Sequence, residues 1–268
     1  MKGTKEMATS SQAAQVVAGV IVWLSCCVAQ GQFAIEPLRT ELEGEAGATL
    51  RGRFIVGHGK EEAMDLEIAF QDHSLGRTSF PEWIRFEAMR FPVDPDSQVA
   101  IPYVISVPPD ASGELYGRVS FSEALPEGAG AVSIRTRLSL PVYVKILGTM
   151  QYAGAIQDVS LLSVAPLKIR ILVSNAGNVH VRAQAHLRVM DAAGEKILFA
   201  EPIQKHAAVF YPGQDKELVH TSSRALPPGR YRAVLTLPFP DAARALTSEF
   251  DVNVPDKSQE QTESEPEA

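Results

Sequence analysis

Apolar and polar residues alternate along most of this chain, and no long stretch repeats at the helical period. Val99, Ile101, Tyr103, Ile105 and Val107 share one face of an extended segment, and Val179, Val181, Ala183, Ala185, Leu187 and Val189 share another. A side-chain period of two marks a strand with one buried face. In the first half the pattern predicts strands over Phe33–Leu42, Leu50–Val56, Met64–Phe70, Trp83–Phe86, Val99–Val107, Leu115–Phe121 and Ala131–Lys145. Proline, glycine and aspartate punctuate them, as in a sandwich of short antiparallel strands. In the second half, turns are expected at Asn175-Ala176-Gly177-Asn178, where Asn and Gly tolerate positive φ, at Asp191–Gly194 and at Pro212-Gly213. The closing strands are expected from Tyr231 to Leu237 and from Ala245 to Val254.

The second half repeats the first. Leu50-Arg51-Gly52-Arg53-Phe54-Ile55-Val56 returns as Leu167-Lys168-Ile169-Arg170-Ile171-Leu172-Val173. The proline turn at Phe91-Pro92 returns near Phe210-Tyr211-Pro212, and Val107-Pro108-Pro109 to Tyr116 returns as Leu226-Pro227-Pro228-Gly229-Arg230-Tyr231. The echoes keep their order and lie a whole domain apart, too far for a solenoid unit. The fold class is therefore all-β: two tandem immunoglobulin-like β-sandwich domains, expected at 32–147 and 148–254. Tyr231, and Tyr116 in the same place of the first copy, are candidates for a tyrosine corner, in which the hydroxyl ties the strand start to an upstream carbonyl.

The ends change the picture in one respect, which is location. Lys2 and Lys5 precede an apolar run from Val16 to Val28, and Ala29-Gln30-Gly31 offers small residues to a signal peptidase. Residues 1–31 read as a signal peptide that sends the chain to the periplasm. The run is short for a membrane span, and Cys26 and Cys27 make a poor lipid-attachment box. These are the only 2 cysteines, so the remaining chain has no disulfide or thiolate chemistry. The stretch 255–268 lacks apolar side chains and is expected to be a disordered acidic tail. The net charge of −7, with no basic stripe, argues against nucleic-acid binding.

Catalytic motifs are absent: there is no Gly-rich phosphate loop, Gly-x-Ser-x-Gly elbow or His-Glu-x-x-His. His180 and His186 fall on one face of an extended segment about 20 Å apart, too far to share an ion. With Arg182, Gln184 and Arg188 they read as a solvated strand face. Asp65 and Glu67 alternate with Leu66 and Ile68 as an exposed face does, and Asp94 and Asp96 read as turn formers. The reading is of a non-enzymatic binding protein with no cofactor, metal or small-molecule substrate.

The segment with functional content is Ala131–Lys145. Val132, Ile134, Thr136, Leu138, Leu140, Val142 and Val144 share one face, and Arg135, Arg137, Ser139, Pro141, Tyr143 and Lys145 share the other. Pro141 lacks an amide proton, which favours an edge strand or a bulge. An exposed edge with a strong apolar ladder invites a strand from another chain. The alternative is that its apolar face fills the domain's own core, with Arg135 and Arg137 as guards.

A signal peptide, two immunoglobulin-like domains and the run Ile134-Arg135-Thr136-Arg137-Leu138-Ser139-Leu140 together resemble the periplasmic pilus chaperones of the usher pathway. Phe33-Ala34-Ile35-Glu36-Pro37 is similar to their opening strand. The resemblance implies a protein that lends its last first-domain strand to a pilin-like subunit and anchors the subunit's C-terminal carboxylate with an Arg and a Lys. Partner-binding residues are then Ile134, Thr136, Arg137, Leu138 and Leu140, with Arg39 near the expected Arg. Ser139 stands about where the Lys is expected, a departure from the pattern. Trp83-Ile84, Phe91-Pro92-Val93-Asp94-Pro95, Val107-Pro108-Pro109-Asp110 with Gly113, Asn175-Ala176-Gly177-Asn178-Val179-His180 and Leu226-Pro227-Pro228-Gly229-Arg230-Tyr231 also resemble a wider group of exported tandem sandwich proteins. That likeness implies an envelope scaffold or adhesion module with an envelope component as partner.

Overall fold

The computed structural model of the chain describes residues 33–59, 61–71, 80–124, 135–240 and 245–256. The expected signal peptide at 1–31, the segment 131–134 including Ile134, and the acidic tail beyond Asp256 lie outside the described residues.

The first sandwich is built from β1 (Phe33–Glu36), β2 (Thr40–Gly44), β3 (Thr49–His58), β4 (Met64–Gln71), the single helical turn α1 (Phe80–Trp83), β5 (Ile84–Phe86), β6 (Arg90–Val93), β7 (Ser97–Ser106), β8 (Glu114–Glu123) and β9 (Arg137–Ile146). One sheet has the order β1-β3-β7-β5, and the other β2-β9-β8-β4-β6. The second sandwich contains β10 (Gly154–Val164), β11 (Leu167–Asn175), β12 (Val181–Ala183), β13 (His186–Asp191), β14 (Ile197–Pro202), β15 (Ala208–Phe210), β16 (Gln214–Thr221), β17 (Gly229–Leu237) and β18 (Leu246–Val254). Its sheets run β10-β11-β16 and β14-β13-β17-β18, with a small β12-β15 ladder. The repeated segments pair alike: β3 with β7 and β11 with β16, β8 with β9 and β17 with β18, all antiparallel.

The opening segment Phe33–Leu42, expected as one strand, is two. β1 pairs antiparallel with β3, and β2 pairs parallel with β9 in the opposite sheet. The break falls at Pro37, which has no N–H for a ladder. Phe33 and Ile35 still point inward, as their alternation requires. The first core gathers Phe54, Leu66, Trp83, Ile101, Ile105, Phe121 and Val142. The Phe54 ring lies 5.1 Å from both Tyr103 and Phe121. Gly117 on β8 lets the Phe80 ring lie against the backbone, where a Cβ would come within 1.9 Å of it. The second core gathers Leu167, Ile169, Val173, Leu187, Leu235 and Val252.

Two local expectations meet different physics. The Asn175–Asn178 turn forms without positive φ at either Asn or at Gly177. The buried Asn175 amide shapes it instead: Nδ2 donates to the Val179 and Phe210 carbonyls, and Oδ1 accepts from the Gly177 N–H. Tyr231 is a tyrosine corner, donating to the Pro227 carbonyl at 2.7 Å. Tyr116 is not; its hydroxyl accepts from Tyr211 of the second sandwich.

Candidate partner-binding site

β9 is covered on one side along its whole length by β8, from Ser122–Arg137 to Glu114–Lys145. On its other side β2 covers only Val142 to Ile146. The half from Arg137 to Pro141 has no ladder partner on that side among the described residues. The direction of its backbone groups follows from the alternation of an antiparallel ladder. The Ile146 N–H donates to Gly113, beside β8, and the Leu147 N–H donates to Gly44, at the end of β2. Odd-numbered residues therefore present their backbone to the β2 side. Arg137 and Ser139 aim their amides out of the sheet, and Pro141, also odd, has no amide to aim. The β8–β9 register is continuous, whereas the edge strand β10 is interrupted by two bulges that spoil it as a template.

The side chains of β9 divide between two tasks. Leu140 is buried in the first core, opposite Val119, and Leu138 packs against that core from a half-buried position opposite Phe121. From Leu138 onward the apolar face belongs to the protein's own interior, and what stays open on the edge is the Arg137 and Ser139 amides, because Arg118 takes the Ser139 carbonyl. Arg137 is exposed, and Thr136 is half-buried just before the strand. On the outer face, Arg118 donates to the Ser139 hydroxyl and carbonyl at 3.0 and 2.7 Å, and the Ser139 hydroxyl donates to Gln71 at 3.0 Å. Arg135 pairs with Glu67 and Arg90 with Asp65, so the two strand carboxylates serve as ion-pair partners. Arg39 lies in a bend one residue before the first β2–β9 pair, Thr40–Val142, next to the end of the open half. Arg39 is exposed and its Nε is 2.7 Å from Glu41. The register thus brings Arg39 to the same strand edge as Arg137, Leu138 and Leu140.

The outer face of β9 also meets the second sandwich. The Tyr143 ring stacks on Tyr116 at 4.9 Å and on His180 at 4.0 Å. Its hydroxyl accepts from Arg182 Nη2 at 3.3 Å and shares a bond of 3.2 Å with the Tyr211 hydroxyl, which donates to Tyr116 at 3.4 Å. Burial raises all three phenols, and with the Tyr211 hydroxyl beside it Tyr116 is pushed up to about 12. His180, expected on a solvated strand face, is 4% exposed instead. Its Nδ1 sits 2.6 and 2.8 Å from the two oxygens of Glu114, a carboxylate that is itself almost wholly buried. His186 is exposed, as expected. Glu114, His180, Arg182 and Tyr211 form a polar joint that strand periodicity could not reveal. Periodicity reports which side of a sheet a residue takes, and here a second sandwich covers the polar side.

No protein-family profile and no curated protein matches the chain. Solved structures do. One, described as a chaperone–tip adhesin complex of CFA/I fimbriae biogenesis, is 13% identical, covers 84% of this chain and 100% of its own, and has a TM-score of 0.48. A structure of Salmonella enterica SafA pilin in complex with the SafB chaperone matches at 11% identity, 85% and 99% coverage and a TM-score of 0.45. The CsuC–CsuE chaperone–tip adhesion subunit complex of Acinetobacter baumannii Csu pili matches at 12% identity, 82% and 98% coverage and a TM-score of 0.46. The likeness runs across both sandwiches at low identity.

Proposed function

We propose that this chain is an exported, chaperone-like protein that captures a pilin-like subunit by adding a strand to the open half of β9. The observation that carries this reading is the half-covered strand: the Arg137 and Ser139 amides face outward with no ladder partner among the described residues. Backbone pairing would supply affinity, and residues flanking the edge would supply specificity. The sandwich at 32–147 holds the subunit, the sandwich at 148–254 supports it, and the signal at 1–31 delivers the protein to the periplasm. Thr136, just before β9, continues the edge toward its free end. Leu138 and Leu140 fix the strand from beneath, and Arg39 waits where the subunit's C-terminal carboxylate arrives. The work is binding, with no catalytic step and no cofactor.

Co-expression with exported pilin-like subunits tests this. A stoichiometric complex is expected, and two changes at one exposed position separate backbone from side chain. Arg137→Pro removes an outward amide and abolishes capture; Arg137→Ala keeps the amide and retains most of it. Capture that survives Arg137→Pro unchanged would refute strand pairing at this edge. Retention on isolated envelope material with no subunit bound would favour a scaffold or adhesion role instead.

A further inference from the structure

Glu41 sits in a position that its own neighbours do not fully satisfy. Its Oε1 is 2.7 Å from Arg39 Nε, 3.5 Å from Arg182 Nε and 3.9 Å from His180 Nε2. One oxygen is thus shared among three groups. Arg39 belongs to the first sandwich, and His180 and Arg182 to the second. The sharing is incomplete, because Arg182 Nε is buried and makes no hydrogen bond. A guanidinium meets a carboxylate best through two parallel N–H···O bonds, a geometry a single shared oxygen cannot provide. Glu41 faces the joint from β2 beside Tyr143, whose hydroxyl holds Arg182 from the other side.

The place matters as much as the contacts. A strand laid along Arg137–Pro141 in line with β2, and running in the same direction, ends at Arg39. We propose that Glu41 is a built-in stand-in for the partner's carboxylate. In the free chain it fills an anion seat made by Arg39 from one sandwich and Arg182 from the other, and it gives way when a strand with a free C-terminus is captured. This rests on the strand-capture reading above and adds two things to it. The second cation comes from the second sandwich, so neither sandwich alone holds the complete seat. The seat is also occupied before capture, so a partner must displace an internal carboxylate, and chains without a correctly placed terminal carboxylate are rejected.

Two probes on the full chain separate this idea from its foundation. The first is sodium acetate, followed through the arginine Nε–H signals by ¹⁵N NMR. In Glu41→Gln, the Arg39 and Arg182 signals are expected to shift together, at several-fold lower acetate than in the unaltered chain, while Arg90 stays put. If acetate moves neither signal in Glu41→Gln, or moves them independently, the seat is overturned. The second probe is a short alternating Val/Thr peptide with either a free or an amidated C-terminus, measured by calorimetry. In Glu41→Gln the free acid should bind about tenfold more tightly than the amide. That preference should vanish in Arg39→Gln and in Arg182→Gln, with folding checked by circular dichroism. Equal binding of acid and amide overturns the seat and leaves strand capture standing. Acetate binding with no binding of either peptide overturns strand capture and leaves the anion seat standing.

Discussion

Gly113 and Gly148 form a matched pair for measuring how firmly the two sandwiches are joined. Both have positive φ, +71° and +76°, so alanine at either position costs about 1–2 kcal/mol in backbone strain. Their surroundings differ. A Cβ at Gly148 meets nothing within 4 Å, while one at Gly113 would lie 2.6 Å from the Asn178 carbonyl oxygen in the second sandwich. Backbone cannot yield as a flexible side chain does, so Asn178 must move. Its side chain accepts from the Gln151 N–H at 2.7 Å and donates to the Thr149 carbonyl at 2.9 Å. Losing both bonds adds about 2 kcal/mol at the usual net worth of a hydrogen bond. Gly113→Ala is therefore expected to cost about 3–4 kcal/mol, against about 1–2 kcal/mol for Gly148→Ala. Urea unfolding followed by far-ultraviolet circular dichroism gives both values, with comparable slopes making the midpoints comparable. Equal midpoints for the two variants would show that Gly113 makes no joint-dependent contribution.

Gly117→Ala drives a Cβ toward the Phe80 ring and should lower stability by about 1–3 kcal/mol in the same assay. Leu140→Ala should cost about 2–5 kcal/mol because it opens a cavity in the first core, while Arg137→Ala stays within about 0.5 kcal/mol; similar costs for the two would contradict the division of β9 between core and edge. Tyr231→Phe removes the bond to Pro227 and should cost about 1 kcal/mol. Tyr116 yields a pH prediction: its folded value, raised from 10.0 to about 12, exceeds that of the unfolded chain. The folded chain holds the phenol proton longer, so this contribution to stability is complete below pH 10 and is lost as pH climbs through about 12. Absorbance titration at the phenolate band, with and without Tyr116→Phe, checks it.

The alternation made most of the strands legible, because each sandwich buries one face of nearly every strand. Val99–Val107 and Leu167–Val173 follow their patterns closely. The repeat was legible for the same reason. The opening strand was not, since Phe33–Leu42 keeps its alternation while changing sheets at Pro37, and periodicity carries no record of which sheet a face belongs to. Arg137, Leu138 and Leu140 could be singled out from the sequence because the pattern marks their segment as long and regular, whereas Arg39 came only from the family resemblance. That β2 covers only half of it is a matter of register, which depends on where the chain crosses over. The joint was illegible for a deeper reason. Glu114 and Arg182 occupy ordinary polar positions of ordinary strands, His180 sits just before β12, and they become a cluster only because one sandwich packs on the other.

Amide hydrogen exchange of the chain alone and in complex with a pilin-like subunit tests the central claim most directly. The Arg137 and Ser139 amides face out of the open edge of β9, so they should exchange quickly in the free chain and slow by about tenfold or more when a partner strand accepts their hydrogen bonds. The Leu138 and Leu140 amides, already bonded to β8, should change little. A stable complex in which Arg137 and Ser139 remain unprotected, with new protection elsewhere on the molecule, would contradict capture by strand pairing at β9.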